Sequence, residues 1–220
     1  MKVAILANGE MKYPAQVRAL ASQADLLLAA DGGALHALAL ELWPHLVVGD
    51  LDSLSVSQRE TLTLHGVRCI QHPAQKDETD LELALLQAVV QGATQIVVLT
   101  ALGGRTDQFL ANLLLLTLPA LRGVRCWIVD GVEQVFLVRG RAEISGQAGD
   151  VLSLLPLGGD CEGVWTEGLA YPLRGEGLRF GPARGVSNVL LAPRATVTVE
   201  RGTLLAVLRS QRVVMQWPGE

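Results

Sequence analysis

Cysteine is scarce and unpatterned in this chain. Cys69, Cys126 and Cys161 are odd in number and widely spaced. They give neither a metal-ligand spacing nor a disulfide framework, so a reducing, cytoplasmic setting is expected. An excess of positive charge is also missing. The formal net charge is −4, and without clustered basic residues no nucleic-acid footprint is expected. No apolar run is long enough for a membrane. The longest, Phe109 to Leu121, is interrupted by Asn112 and falls short of the roughly 20 residues a spanning helix takes. The sequence opens directly on the strand-like Lys2-Val3-Ala4-Ile5-Leu6-Ala7, without the layout of a signal peptide. Three common signatures are absent as well. No Gly-x-x-x-x-Gly-Lys-Ser/Thr run exists, which excludes a Walker-type phosphate loop. Only Asn8-Gly9 follows the first strand, where a dinucleotide fingerprint would need Gly-x-Gly-x-x-Gly. No Ser or Cys sits in a nucleophile elbow.

What is present is a globular composition, 50% hydrophobic and 18% charged over 220 residues, enough for one large domain or two small ones. Through residue 130 the pattern alternates. Strands are expected at 2–7, 26–30, 45–49, 67–71, 95–101 and 124–129, with helices at 14–22, 34–42, 55–65, 79–91 and 107–118 between them. Such alternation implies an α/β fold, a mainly parallel sheet with crossover helices. The best-defined helix has an apolar stripe of Leu81, Ala84, Leu85, Ala88 and Val89, a capping box from Thr79 to Glu82, and Gly92 as its stop. Beyond Asp130-Gly131 the character changes. Fourteen of the 23 glycines fall there, no helical stripe persists, and short β-type runs occur at 132–138, 151–155, 187–191, 195–200 and 203–208. The expected organisation is therefore an α/β domain over 1–130 and a small all-β sandwich over 131–220.

Six of the ten aspartates stand just beyond expected strand ends, the edge where open α/β sheets bind ligands. They belong to Asp31-Gly32-Gly33, Gly49-Asp50-Leu51-Asp52-Ser53, Lys76-Asp77-Glu78-Thr79-Asp80 and Gly103-Gly104-Arg105-Thr106-Asp107. If the backbone stays extended past residue 49, Asp50 and Asp52 project to one side. They would then suit Mg²⁺, a hard cation that takes carboxylates, water and phosphate oxygens. A polar turn capping the next helix is the competing reading. The glycine pairs allow close approach of backbone N–H groups to phosphate. Arg105 is placed to grip phosphate oxygens or to form a surface salt bridge. Lys76, one of three lysines, reads as a phosphate contact or as part of a solvated turn. Asp77 and Asp80 could ligate metal or complement the helix dipole. His36, His45, His65 and His72 share no spacing and read as structural or surface residues. Together these loops predict a carboxylate-rich, metal-dependent phosphate site.

The same motifs, in this order, resemble the thiamine pyrophosphokinase family. The resemblance extends to Ala111-Asn112, to Gly168-Leu169-Ala170-Tyr171-Pro172-Leu173 and to Gly185-Val186-Ser187-Asn188. Two positions depart from the family pattern: Gln108 stands where a histidine is usual, and Val189 where an acidic residue is common. The resemblance implies a Rossmann-like sheet with helices on both faces, followed by a β-sandwich. It also implies a homodimer whose thiamine site is shared between subunits, and transfer of the pyrophosphoryl group of ATP to the thiamine hydroxyl. In that scheme Asp31, Asp50, Asp52, Asp77, Asp80, Arg105 and Asp107 form the ATP·Mg²⁺ side, with Gly32, Lys76 and Gly104 among the binding residues. Metal is expected on Asp50, Asp52 and Asp77, and Asp80 or Asp107 is the candidate base. Tyr171, Ser187 and Asn188 form the thiamine side, Tyr171 offering an aromatic face to the thiazolium or, read alone, serving as a core aromatic. Two other readings remain at this stage: an Asp-x-Asp nucleotide-sugar transferase using Mg²⁺ or Mn²⁺, and a non-catalytic nucleotide-sensing module.

Overall fold

Strand β1 (Lys2–Leu6) buries Val3, Ala4, Ile5 and Leu6 completely, as a strand covered on both faces does. Strands β2 (Leu26–Ala30), β3 (Leu46–Gly49) and β5 (Gln95–Leu99) are similarly apolar and buried. With β4 (Arg68–Gln71) and β6 (Arg125–Asp130) they form a wholly parallel array in the order β4-β3-β2-β1-β5-β6. The computed structural model describes residues 1–219, and the chain divides into two units after Asp130. Strand β4 lies at the outer edge of this array, and its exposed Arg68, Cys69 and Gln71 suit an edge.

The connections are α1 (Pro14–Ala21), α2 (Gly33–Ala39), α3 (Val56–Leu64), α4 (Asp80–Val90) and α5 (Thr106–Leu115). From β1 to β4 the chain steps outward on one side; it then returns past β1 to β5 on the other. Right-handed crossovers place α1, α2 and α3 on one face and α4 and α5 on the opposite one. The reversal between β1 and β5 is the switch point, and ligands bind off the carboxyl ends of strands there. Thr79 accepts from Glu82 N at 3.2 Å, which is half of the expected capping box. A complete box forms instead at α3, where Ser55 and Gln58 exchange side-chain and backbone hydrogen bonds.

The second unit is all β. Strand β12 (Arg194–Arg209) runs through what the sequence divides into two strands. A register break between Val199 and Leu204 bends it, at a turn where Gly202 has φ +101°. Its first half lies between β7 (Glu133–Ser145) and β9 (Cys161–Glu167), and its second half between β7 and β8 (Val151–Pro156). Strand β10 (Arg174–Leu178) pairs with β9, and the short β11 (Asn188–Val189) with β8. Side chains from both halves meet in one core that includes Val138, Ile144, Leu152, Leu154, Val164, Leu190, Val197 and Leu204. Strands β9 and β10 had no expectation from sequence; exposed Glu162, Trp165 and Glu167 and three glycines hide their alternation.

Candidate active site

The loops after β1, β2, β3 and β5 and the segment before α4 line a cleft of about 550 Å³ in the α/β unit. Asp31 closes β2 and is only 5% exposed. Its backbone N–H donates to Val48 O at 2.9 Å, and Ser53 Oγ donates a short hydrogen bond to its Oδ2. Oδ1 is buried without a hydrogen-bond partner, and a buried carboxylate oxygen left so is costly unless a cation meets it. Asp50, after β3, and Asp80, first in α4, present their carboxylates alongside. One oxygen from each of Asp31, Asp50 and Asp80 lies within 4.8 Å of the others. Lys76 Nζ stands 3.0 Å from Asp80 Oδ1 and 4.0 Å from Asp50 Oδ2. The ammonium thus meets Asp80 Oδ1, which leaves Asp31 Oδ1 as the buried oxygen of these three residues with neither a hydrogen bond nor an ion pair. Three carboxylates with oxygens this close, one of them carrying a buried oxygen without a partner, fit a hard cation such as Mg²⁺.

Glycine at position 49 makes this approach feasible. With φ at +153°, a Cβ there would lie 2.8 Å from Asp31 Cβ and 3.1 Å from Asp80 Oδ1. Two glycines after β2 serve packing more than ligand contact. A Cβ on Gly32 would meet the Asn8 side chain at 2.4 Å, and one on Gly33 would meet Leu6 O at 2.0 Å. Both are buried, and neither lines the cleft.

The carboxylates that converge are thus Asp31, Asp50 and Asp80, rather than Asp50, Asp52 and Asp77. The backbone does not stay extended past Gly49, because Leu51 takes φ +65° and turns the chain. Asp52 is exposed, and its backbone N–H donates to Asp50 Oδ1 at 3.1 Å. It fixes its neighbour without sharing its cleft. Asp77 is exposed and outside the cluster. This geometry also withdraws the paired Asp-x-Asp on which the nucleotide-sugar reading stood.

Arg105 and Gly104 also line the cleft, with Gln108 and Asn112. Gly104 takes φ +71° in the turn before α5. Arg105 forms a bidentate ion pair with Asp107, at 3.1 and 2.5 Å. Both side chains are exposed, at 73% and 65%. Asp107 does not line the cleft. The Arg105 hydrogen bonds, then the Gln108 N–H, hold its carboxyl below the usual range, which weakens it as a proton acceptor. Asn112 Nδ2 donates to Ala101 O at 2.7 Å and ties α5 to the loop after β5. No histidine lines this cleft; His36 instead bonds Gly9 O at 2.8 Å.

In the second unit, Tyr171, Ser187 and Asn188 come together. Asn188 Oδ1 accepts from Tyr171 N at 3.0 Å, and Asn188 Nδ2 donates to Tyr171 O at 2.7 Å. The amide thus clamps the backbone that carries Tyr171, whose own side chain is 71% exposed. Ser187 sits at φ +62° with its N–H on Ser153 Oγ at 3.1 Å. Sequence reasoning missed Gly49 and Ser53 as the parts that shape the acidic cluster; their signal, a glycine and a serine flanking Asp-x-Asp, was in view without a structural reason.

Two family models match the chain: the catalytic domain of thiamin pyrophosphokinase over residues 17–128 and its vitamin B1 binding domain over residues 141–204. A thiamine pyrophosphokinase from Bacillus subtilis is 25% identical over 205 residues, covering 92% of this chain and 96% of that protein. Thiamine pyrophosphokinase 1 of Arabidopsis thaliana is 29% identical, covering 84% and 78%. Among solved structures, a thiamin pyrophosphokinase from Geobacillus thermodenitrificans superposes with a TM-score of 0.83 at 25% identity over 96% of this chain and 98% of that one. A thiamin pyrophosphokinase from Candida albicans gives 0.82 at 17% identity, over 96% and 89%, a likeness of fold. With both domain models matched in chain order and the strand-end carboxylates gathered in one cleft, this chain belongs to the thiamine pyrophosphokinase family.

Proposed function

We propose that this chain transfers the pyrophosphoryl group of ATP to the hydroxyl of thiamine, giving thiamine diphosphate and AMP. The observation that carries the reading is the convergence of Asp31, Asp50 and Asp80 together with the unpartnered, buried Oδ1 of Asp31, in a chain of this family. These three residues hold Mg²⁺, which when bound supplies charge neutralisation on the phosphate oxygens. Gly104 and Lys76, which both line the cleft, reach the polyphosphate, and Arg105 joins them once a phosphate competes for its fork with Asp107. Phosphoryl transfer demands mainly positioning and charge balance, with little bond-making by the protein. A strongly basic side chain is therefore dispensable, consistent with Gln108 at the histidine position and with the depressed Asp107.

Thiamine is assigned to the Tyr171, Ser187 and Asn188 face of the β unit, where an exposed aromatic suits a cationic ring. The domain roles follow, with nucleotide on 1–130 and thiamine on 131–220. A homodimer belongs to the same proposal. Helix α5 has no buried residue and leaves Leu110 and Leu114 more than half exposed, a face that a second copy would cover. Cytoplasmic location is proposed from the cysteine usage; no described helix is long and apolar enough to cross a membrane. Purified protein with ATP, Mg²⁺ and thiamine tests the central reading. AMP release that depends on thiamine is expected, and AMP release unchanged by thiamine or its analogues would refute it. A sensing module predicts nucleotide binding with no turnover.

A further inference from the structure

Lys76 holds an unusual post for a cation beside a metal site. Its side chain is 12% exposed, and its ammonium faces two of the acidic cluster's three residues, with Asp80 Oδ1 at 3.0 Å and Asp50 Oδ2 at 4.0 Å. We propose that Lys76 is a built-in competitor of the metal: its ammonium balances the cluster when no nucleotide is bound and moves onto the polyphosphate when the metal arrives with it. The protein then takes up divalent metal together with nucleotide and poorly by itself. This rests on the metal reading given above and adds the order of loading to it.

The argument is electrostatic and mechanical. Mg²⁺ sits about 2.1 Å from a carboxylate oxygen. A cation on Asp80 Oδ1 would therefore lie within roughly 5 Å of Nζ in its present position. Even at the dielectric constant of water, a divalent and a monovalent charge at that distance repel enough to cost about tenfold in affinity. A polyphosphate reverses the sign, because the same ammonium then faces several negative oxygens. Movement is available to this residue. Lys76 lies in the irregular segment between β4 and α4, so its four-carbon stem can swing without disturbing a helix or strand. Lysine suits the task better than arginine, since a compact charge on a flexible stem changes partners more easily than a planar fork. The chain has 18 Lys and Arg residues of which three are lysines, and one of the three stands here.

The test is Mn²⁺ binding, followed by the electron paramagnetic resonance of free Mn²⁺, with and without an ATP analogue carrying a methylene between the α and β phosphorus atoms. Wild type, Lys76→Met, Lys76→Gln and Lys76→Arg are compared. Both neutral variants are expected to bind Mn²⁺ alone roughly tenfold tighter than wild type and the Mn²⁺–analogue complex several-fold weaker. Lys76→Arg, which keeps the charge, should hold bare Mn²⁺ no tighter than wild type. Equal or weaker bare Mn²⁺ binding by the neutral variants, with the wild-type complex intact, would overturn the competitor role alone. If Asp31→Asn and Asp50→Asn leave Mn²⁺–analogue binding at the wild-type value, the metal site itself fails, and the competitor with it.

Discussion

Replacing Gly49 with alanine adds one methyl group at the point where three carboxylate-bearing elements meet. That carbon would lie 2.8 Å from Asp31 Cβ, 3.2 Å from Asp31 Cα and 3.1 Å from Asp80 Oδ1, against a favourable carbon–carbon separation of about 3.5–4.0 Å. Neither neighbour yields easily. Asp31 is tied by its backbone N–H to Val48 O at 2.9 Å, and Asp80 begins α4. Overpacking of this kind costs about 1–3 kcal/mol, and a positive φ that alanine adopts poorly adds about 1 kcal/mol or more. A total of about 3 kcal/mol lowers Tm by roughly 6–12 °C for a protein of this size. Relief of the clash pushes Asp31 away from Asp80, so Mn²⁺–nucleotide affinity should fall at least tenfold even at temperatures where the variant is folded. Differential scanning calorimetry and Mn²⁺ titration check the two effects separately. An alanine variant melting within about 1 °C of wild type and binding metal as tightly would refute the packing argument.

Other expectations follow from the same geometry. Asp31→Asn and Asp50→Asn should each reduce kcat by a hundredfold or more with the melting profile retained, because charge neutralisation at the phosphates is lost; steady-state kinetics decides, and a loss under threefold would remove that residue from the metal shell. Tyr171→Ala should raise KM for thiamine roughly fivefold, the equivalent of about 1 kcal/mol of cation–π contact, with KM for ATP unchanged. Asn188→Ala should copy that pattern, because it releases the two hydrogen bonds that clamp Tyr171; an effect on ATP as large as on thiamine would contradict both. The depressed Asp107 carboxyl means that whatever its pair with Arg105 contributes is present above the unfolded-state value and fades as pH falls through the lower folded one, below about pH 4. Exposure and salt screening keep that contribution small, so Asp107→Asn should melt within about 1 °C of wild type at pH 7, and a drop of several degrees would show a buried role.

The sequence made the α/β array legible because its strands are short, apolar and separated by periodic helices. Fully buried parallel strands such as Val3 to Leu6 read as short, near-continuous apolar runs, and the helical stretches between them mark them as strands. The second unit was harder to read. Its β12 looks like two strands because Glu200, Arg201 and Gly202 interrupt the apolar pattern, while the backbone bends through them without leaving the sheet. In the site, motif spacing located the loops that line the cleft but not which of their carboxylates come together. Asp50 and Asp52 are two apart, and only the left-handed Leu51 reveals that they part company. Asp31, Asp50 and Asp80 are far apart in sequence, and their meeting depends on strand order, which no local pattern records.

The most direct test of this account is the crystal structure of the protein with Mg²⁺ and the α,β-methylene ATP analogue. Density for a metal held by carboxylate oxygens of Asp31, Asp50 and Asp80, with Lys76 turned toward phosphate, is the predicted result. A metal bound by Asp52 and Asp77, or polyphosphate lying outside the cleft between Asn8 and Gln108, would contradict it.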